Sequence, residues 1–291
     1  MNQALRLDVD QDVRQQVEFL GEPGSRLFLS RFVPVQSPVA GVVICSPTHA
    51  ELPKNYRREV LLSRSLATQG IAVQRFHYRG AGHSDGDSSL TFETMCQDAA
   101  AVAQHLEEVT GVGRLGLLGT RLGGLVAAVT GTRLPSSALA LWEPVGGSRY
   151  FGEAFRAQLL SDLRRGKRTG TSATSLQAVL EATGAVDVLG YRLERSLYDS
   201  LEQLDLDSAL GPDCPPTLLV QFGATDGLRP EHAHLACRLR AHGSSMTTAT
   251  VNLQVSWWLN EEIWQRDKSL TGRTPLLDVT ADWLCRELAV A

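Results

Sequence analysis

The order of apolar runs and helical patterns along the chain constrains its fold more than any other feature. Short apolar, β-branched runs bounded by Gly and Pro predict strands at residues 26–33, 41–45, 71–77, 114–118, 137–142, 217–222 and 246–253. Apolar residues at spacings of three and four predict helices at residues 57–69, 92–109, 122–131, 231–242 and 276–288. This alternation predicts an α/β fold with a doubly wound, mainly parallel sheet, in which residues 26–33 form an edge strand.

Residues 148–206 interrupt the alternation with charged, helical sequence that contains no convincing strand. We expect residues 1–147 and 207–291 to form the core, and residues 148–206 to form a helical cap, or lid, inserted into it. Six basic residues between positions 149 and 168 favour an anionic ligand on that side. A solvated helix face is the alternative interpretation.

Composition excludes several classes of partner. The chain has 291 residues, of which 43% are hydrophobic, and its net charge of −4 lacks the basic excess that nucleic-acid binding needs. No apolar stretch is long enough for a membrane span, and the charged N-terminus is unlike a secretory signal, which predicts a cytoplasmic protein. The five cysteines form no C-x-x-C pair, so we expect reduced thiols. The histidines have no carboxylate or Cys at a spacing that makes a strong metal site, so we expect no metal, and we expect no cofactor. A small-molecule partner is expected, and a homodimer stays open.

Residues 115–124, LGLLGTRLGG, carry the most informative motif: an apolar strand that turns through glycines into a helix. This order has the form of a nucleophile elbow, the sharp turn that projects one side chain over the carboxyl edge of a sheet. The central residue here is Arg121. A guanidinium stays protonated and has no lone pair with which to attack a carbonyl, so covalent catalysis at this turn is excluded.

On these residues the chain resembles the α/β-hydrolase superfamily from about residue 26 to residue 288. Residues 79–84 are similar to its strand-end turn R-G-x-G-x-S, and residues 223–226 to the G-x-x-D segment that bears the triad acid, here Asp226. The chain looks like serine aminopeptidase-like proteins and the hydrolase-like proteins of bacterial exosortase and polysaccharide gene clusters. The chain departs from the exosortase-associated proteins at residues 46–49, because that resemblance implies His-Pro followed by an aromatic residue there. That finer similarity rests on Pro47, Ala50, Glu51, Asn55, Arg58, residues 119–123, Trp258, Glu262 and Ile263.

The resemblance implies a triad of which two members are missing. Arg121 stands where the superfamily carries Ser, and no His follows His242, although the resemblance places the general base after the last strand. Residues 82–86 also read G-x-S-x-G, but polar residues follow them, so we expect Ser84 to lie in a structural turn. A conventional serine hydrolase is therefore not expected.

The carboxyl ends of parallel strands meet at one edge of a sheet, so residues distant in sequence are expected to share a pocket there. We expect Arg121, Glu51, His49 and Asp226 to be catalytic: Arg121 binds a carboxylate, phosphate or oxyanion, while Glu51 or His49 exchanges a proton or activates water. The alternative is that Arg121 forms a buried ion pair with Glu51, Asp226 or Glu262. The expected substrate-binding residues are Thr48, Asn55, Arg58, Thr120, Leu122, Trp258 and Glu262.

Two functions follow from this site. The first is an α/β-hydrolase-fold enzyme that acts on an acyl-type or carboxylate-bearing small molecule without a Ser nucleophile, by direct attack of water or by non-hydrolytic proton transfer. The second is a catalytically silent pseudo-hydrolase that serves as a binding or scaffolding protein.

Overall fold

The computed structural model describes residues 5–8, 12–86, 90–166, 172–211, 213–223, 227–253 and 274–288. The strands are β1 Leu5–Asp8, β2 Val13–Leu20, β3 Leu27–Pro34, β4 Ala40–Cys45, β5 Ile71–Phe76, β6 Leu115–Thr120, β7 Ala138–Trp142, β8 Ala185–Val188, β9 Tyr191–Glu194, β10 Thr217–Phe222 and β11 Met246–Val251. The helices are α1 Glu51–Thr68, α2 Phe92–Thr110, α3 Leu122–Arg133, α4 Gly147–Arg164, α5 Ala173–Thr183, α6 Arg195–Leu201, α7 Leu206–Ala209, α8 Pro230–Ala241 and α9 Pro275–Glu287.

Nine of the described strands form one sheet in the order β1-β2-β3-β5-β4-β6-β7-β10-β11. The pairs from β5 through β11 are parallel, whereas β1, β2 and β3 pair in antiparallel fashion at one side. The predicted α/β fold with a mainly parallel sheet is confirmed. The prediction that residues 26–33 form an edge strand is wrong, because β2 pairs with β3 on its outer side.

Helices cover both faces of this sheet. The buried side of α1, with Leu62 and Leu66, packs with Leu284 of α9 against one face, while α2, α3 and α8 cover the other. Helix α2 begins where the Thr91 side chain accepts a hydrogen bond from the Thr94 N–H, and it ends at the left-handed Gly111. Helix α1 begins at Glu51, six residues before the predicted start, so Glu51 lies in the first turn of a helix rather than in a loop.

The segment between β7 and β10, called here the inserted segment, contains α4 to α7 and a two-stranded hairpin of β8 and β9. The prediction that this region lacks strands is wrong. A two-residue turn at Leu189 and Gly190, both with positive φ, joins the four-residue strands, which are too short to give an alternating pattern in the sequence. Phe155, Val188 and Leu197 pack this segment onto the core that contains α2 and α3.

None of the helices in the described part of the chain is both long enough and apolar enough to cross a membrane.

Candidate functional site

The chain turns from β6 into α3 at Arg121, whose φ of 56° and ψ of −120° are unfavourable for an L-residue. Two glycines permit this turn. A Cβ on Gly119 would lie 2.2 Å from the Gly123 carbonyl oxygen, and a Cβ on Gly123 would lie 2.1 Å from the Cys45 carbonyl oxygen. The G-x-R-x-G pattern therefore forms the expected strand–turn–helix, with Arg121 at the carboxyl end of a central strand.

The Arg121 side chain is 1% exposed and is held by two carboxylates. Its Nε atom lies 3.4 Å from Glu51 Oε1, at the start of α1. Its Nη2 atom donates a hydrogen bond to Glu153, on α4 of the inserted segment. The pair with Glu51 is one of the three that the sequence suggested, whereas Glu153 was not among the predicted partners.

These two pairs begin an alternating series of charges, called here the charge chain, which runs from the turn to α8. Arg149 Nε donates to Glu153 Oε1 over 2.8 Å, and Arg149 also contacts Glu231. Arg229 lies 3.2 Å from Glu231 and donates to Glu143 as well. The members, in order, are Glu51, Arg121, Glu153, Arg149, Glu231, Arg229 and Glu143.

The two carboxylates beside Arg121 differ in their affinity for a proton. Burial raises the pKa of Glu51, and the attraction of Arg121 offsets this only in part. Burial also acts to raise the pKa of Glu153, but Arg121 and Arg149 outweigh it and the pKa is lowered. Burial alone would lower the pKa of Arg121, yet its two glutamates raise it, so the guanidinium stays charged.

A second polar group lies in the loop between β4 and α1. His49 Nδ1 is 3.0 Å from both Thr48 Oγ1 and the hydroxyl of Tyr150 on α4, and these two hydroxyls are 2.9 Å apart. Burial lowers the pKa of His49 to about 4, which makes the imidazole neutral at pH 7. Burial raises the pKa of Tyr150, so its phenol stays protonated. Sequence reasoning missed Tyr150, which lies in the inserted segment.

His49 lines two cavities. The larger has a volume of about 470 Å³ and lies between the loops after β4 and β5, the first turns of α1, and β9 with the start of α6. Its described lining residues are Thr48, His49, Leu52, Pro53, Tyr56, His77, Gly80, Ala81, Gly82, His83, Leu90, Tyr191, Arg192, Glu194 and Leu197. The smaller, of about 20 Å³, is lined by His49, Glu51 and Tyr150 together with apolar residues. Arg121 is not among the described residues that line either cavity.

A comparison with protein families identifies the family to which the chain belongs. The family described as serine aminopeptidase, S33, matches residues 36–183, just over half of the chain. The chain belongs to this S33 family. A search of curated proteins gives no match.

The S33-family chain has the fold of several solved hydrolase structures. Est1E from Butyrivibrio proteoclasticus with bound ferulic acid is 14% identical, with a TM-score of 0.64 over 93% of this chain and 99% of that one. A proline iminopeptidase-related protein from Thermus thermophilus is 17% identical, with a TM-score of 0.58 over 96% and 100%. Brefeldin A esterase, a bacterial homologue of human hormone-sensitive lipase, is 17% identical, with a TM-score of 0.57 over 98% and 81%. The predicted superfamily is confirmed, and the finer similarity to exosortase-associated proteins stays a prediction.

Some of the expected substrate-binding residues of this S33-family chain lie away from the cavities. Asn55 is fully buried and donates to Glu59 and to Thr120 Oγ1, and Leu122 packs in the core. Arg58 is buried on α1 and donates to the Lys54 carbonyl. Of the members of the expected set that the structure describes, Thr48 alone lines the larger cavity. Asp226, Trp258 and Glu262 lie outside the described residues.

Two serines near the S33-family site have structural partners. Ser84 donates to the His77 carbonyl over 2.6 Å and accepts from the Phe28 N–H over 2.8 Å, as expected for a structural turn. Ser46 donates to the buried Glu59, which also accepts from Arg75. Within the described ranges, no group of three or more His, Cys, Asp or Glu side chains is arranged to hold a metal ion.

Proposed function

We propose that this protein is a hydrolase-type enzyme that binds a neutral, acyl-type small molecule in the larger cavity and cleaves it by direct attack of water. The observation that carries this proposal is the sharing of His49 by the two cavities. One cavity has the volume of a small-molecule site, and the other has room for a single water molecule beside Glu51.

Several observations support an acyl-type ligand. The larger cavity is mostly apolar and carries the aromatic side chains of Tyr56 and Tyr191. Among the structural neighbours, Est1E holds ferulic acid, an aromatic carboxylic acid, and another is named an esterase, so both are associated with acyl compounds. The ion pairs of Arg121 with Glu51 and Glu153 disfavour a carboxylate-bearing ligand at the turn, because such a ligand would compete with two carboxylates already in place.

Glu51 is the proposed general base. Burial raises its pKa, which makes it a stronger base than an exposed glutamate. In the proposed step, water adds to the carbonyl carbon of the ligand while its proton passes to the Glu51 carboxylate. The tetrahedral adduct then expels the alcohol, thiol or amine, which takes that proton from Glu51, so the products are a carboxylic acid and the leaving group.

In this proposal Arg121 occupies the position at which serine hydrolases carry their nucleophile, and it acts as a positioning residue. Its guanidinium offsets part of the rise that burial causes in the pKa of Glu51 and, through Glu153, ties the turn to the inserted segment. That segment then acts as the cap of the site, since Tyr150 and Tyr191 both approach His49 from it.

The second candidate is a catalytically silent protein that keeps the cavity for binding alone. The observation that favours it is the enclosure of Glu51 and Arg121 in a buried ion pair, in which each of these two charges already has a partner of opposite sign. In this case the charge chain stabilises the fold and has no catalytic role.

A screen of neutral aryl and alkyl esters and thioesters separates the two candidates. The enzyme is expected to lose turnover in Glu51→Gln and to retain only a small fraction in Arg121→Ala, whereas Glu93→Gln, which removes an exposed partner of Arg133, leaves it unchanged. Binding of substrate without turnover by the wild type favours the silent protein. Turnover that survives Glu51→Gln contradicts the proposed base.

A further inference from the structure

The hydroxyl groups beside His49 determine which ring nitrogen carries the proton. Thr48 and Tyr150 each have one hydroxyl proton, and the contact between their oxygens uses one of them. The two residues are 2% and 3% exposed, so a hydroxyl proton without an acceptor is costly there. The second proton has His49 Nδ1 within 3.0 Å as its acceptor.

The opposite tautomer leaves this buried group incomplete. If Nδ1 carried the proton, it would donate to one hydroxyl, that hydroxyl would donate to the other, and the last proton would have no acceptor among the described residues. If Nε2 carries the ring proton, Nδ1 accepts one hydroxyl proton and the other hydroxyl proton lies between the two oxygens, so both have acceptors. The Nε2–H group is then free, on a half-buried imidazole that lines the larger cavity. The contacts therefore favour the Nε2–H form.

The loop also holds His49 in an unusual backbone conformation. Its φ of 52° lies in the left-handed region that favours glycine. Backbone strain of this kind clusters at active and ligand-binding sites, where surrounding contacts hold the strained residue. Here those contacts are the ones from His49 to Thr48 and Tyr150. The Nε2 atom of His49 has no hydrogen-bond partner among the described residues.

We infer that the Nε2–H of His49 donates a hydrogen bond to an uncharged oxygen of the ligand, so that the cavity selects neutral carbonyl compounds with an aromatic or acyl body. This inference rests on the proposed function, since it takes the larger cavity as the ligand site. In that reaction the same hydrogen bond polarises the carbonyl that water attacks.

The walls of the cavity fit such a ligand. Tyr191 is edge-on to the His49 ring, at 6.4 Å between centroids, and the ring of Tyr56 is stacked under the Arg75 guanidinium at 4.0 Å. Arg192 and Glu194 are the only Arg, Lys, Asp or Glu side chains among the described lining residues, and they pair with each other. On the described wall, therefore, no Arg, Lys, Asp or Glu side chain is left unpaired to attract an ionised ligand of opposite charge.

The tautomer is measurable without any ligand. Long-range nitrogen–proton NMR spectra of ¹⁵N-labelled wild type are expected to show His49 as the Nε2–H form. The double variant Thr48→Val/Tyr150→Phe, which removes both hydroxyls, should lose this preference, whereas Tyr150→Phe alone should keep it because Thr48 still reaches Nδ1. A wild-type Nδ1–H form overturns the inference.

Binding of three matched probes tests the ligand class: benzylacetone, its analogue with a methylidene group in place of the carbonyl oxygen, and hydrocinnamate. We expect His49→Phe to raise the Kd of benzylacetone about tenfold relative to the Kd of its methylidene analogue, because the variant loses one hydrogen bond to the ketone. Calorimetry measures both Kd values. Tyr56→Ala should weaken both neutral probes alike. Hydrocinnamate should bind the wild type more weakly than benzylacetone.

The outcomes separate the two proposals. An unchanged Kd ratio in His49→Phe, or tighter binding of hydrocinnamate than of benzylacetone, overturns the role of His49 or the preference for neutral ligands while the cavity remains a binding site. If neither neutral probe binds the wild type, the cavity is not the ligand site, and the proposed function falls together with this inference.

Discussion

The Arg121 guanidinium donates a hydrogen bond to the Glu153 carboxylate, which joins the turn after β6 to helix α4 of the inserted segment. The two residues are 32 positions apart in the chain, and their side chains are 1% and 17% exposed. Because Glu51 approaches the same guanidinium from α1, three separate elements meet at one buried charge. The turn is therefore enclosed by ion pairs.

Arg121→Ser is expected to lower stability and to gain no esterase activity beyond that of the wild type. The variant removes the shared cation from the buried Glu51 and the half-buried Glu153, which costs about 3–5 kcal/mol when a pair is well desolvated. The new hydroxyl lacks the histidine of a serine triad, because no His follows His242 in the sequence, where the resemblance places that base. Urea unfolding and a p-nitrophenyl ester assay measure the two effects.

The matched control is Arg133→Ala, which removes an ion pair with Glu93 whose side chains are both about half exposed. An exposed pair contributes about 0–1 kcal/mol, so this variant should unfold close to the wild type. Equal losses in the two variants would show that the Arg121 pairs are no stronger than a surface pair.

Glu153→Gln is expected to destabilise the protein more than Glu51→Gln. The pKa of Glu153 is lowered, so its charged form is favoured by folding, whereas the pKa of Glu51 is raised and its charged form is disfavoured. We expect a loss of roughly 1–3 kcal/mol for Glu153→Gln at pH 7 and a smaller change for Glu51→Gln. Urea unfolding of the two variants under the same buffer gives the comparison, and the reverse order contradicts it.

The turn at Arg121 was predictable from sequence because the local backbone geometry of such a turn requires its glycines. At Gly119 and Gly123 any Cβ would overlap backbone atoms, so both positions require glycine. This requirement is visible in the sequence as the G-x-R-x-G spacing. The strands of the parallel sheet were predictable for a similar reason, since burial on both faces demands continuous apolar runs such as residues 40–45.

Partners across the chain were harder to predict. Glu153 and Tyr150 lie on a helix whose charged and apolar residues do not reveal which side meets the turn. The small hairpin of β8 and β9 was missed because its strands have four residues each. Strand β2 was missed because its side chains are mostly half-buried and half of its residues are polar.

A fluorophosphonate probe is expected to leave the protein unlabelled. Arg121 supplies no hydroxyl at the turn, and the hydroxyls of Ser46 and Ser84 are already bonded to Glu59 and to the backbone. Mass spectrometry of the intact protein, run beside an active serine esterase as a positive control, measures labelling. Stoichiometric labelling, at any serine, contradicts the proposal that hydrolysis proceeds without a covalent nucleophile.

Stability is expected to fall as the pH drops from 6.5 towards 4. Burial lowers the pKa values of His49 and His77 to about 4, while an unfolded histidine titrates near 6.5. The unfolded chain therefore binds more protons in this window, and each imidazole contributes at most about 1.4 kcal/mol of lost stability per pH unit. Urea unfolding at several pH values should show a shallower slope in the double variant His49→Gln/His77→Gln, and a smaller reduction in each single variant. An identical slope in the double variant rejects this origin.

Gly123→Ala is expected to be among the most damaging small substitutions in the chain, although it adds a single methyl group. Its Cβ would lie 2.1 Å from the Cys45 carbonyl oxygen and 2.6 Å from that of Ser46, and both contacts are with backbone that cannot rotate away. Relief requires β4 and α3 to separate, which also displaces Arg121 from Glu51. We expect a loss of at least about 2 kcal/mol in urea unfolding. Gly113→Ala is the control, because nothing lies within 4 Å of the methyl position there. If both variants unfold at the same urea concentration, β4 and α3 do not approach each other as closely as this turn requires.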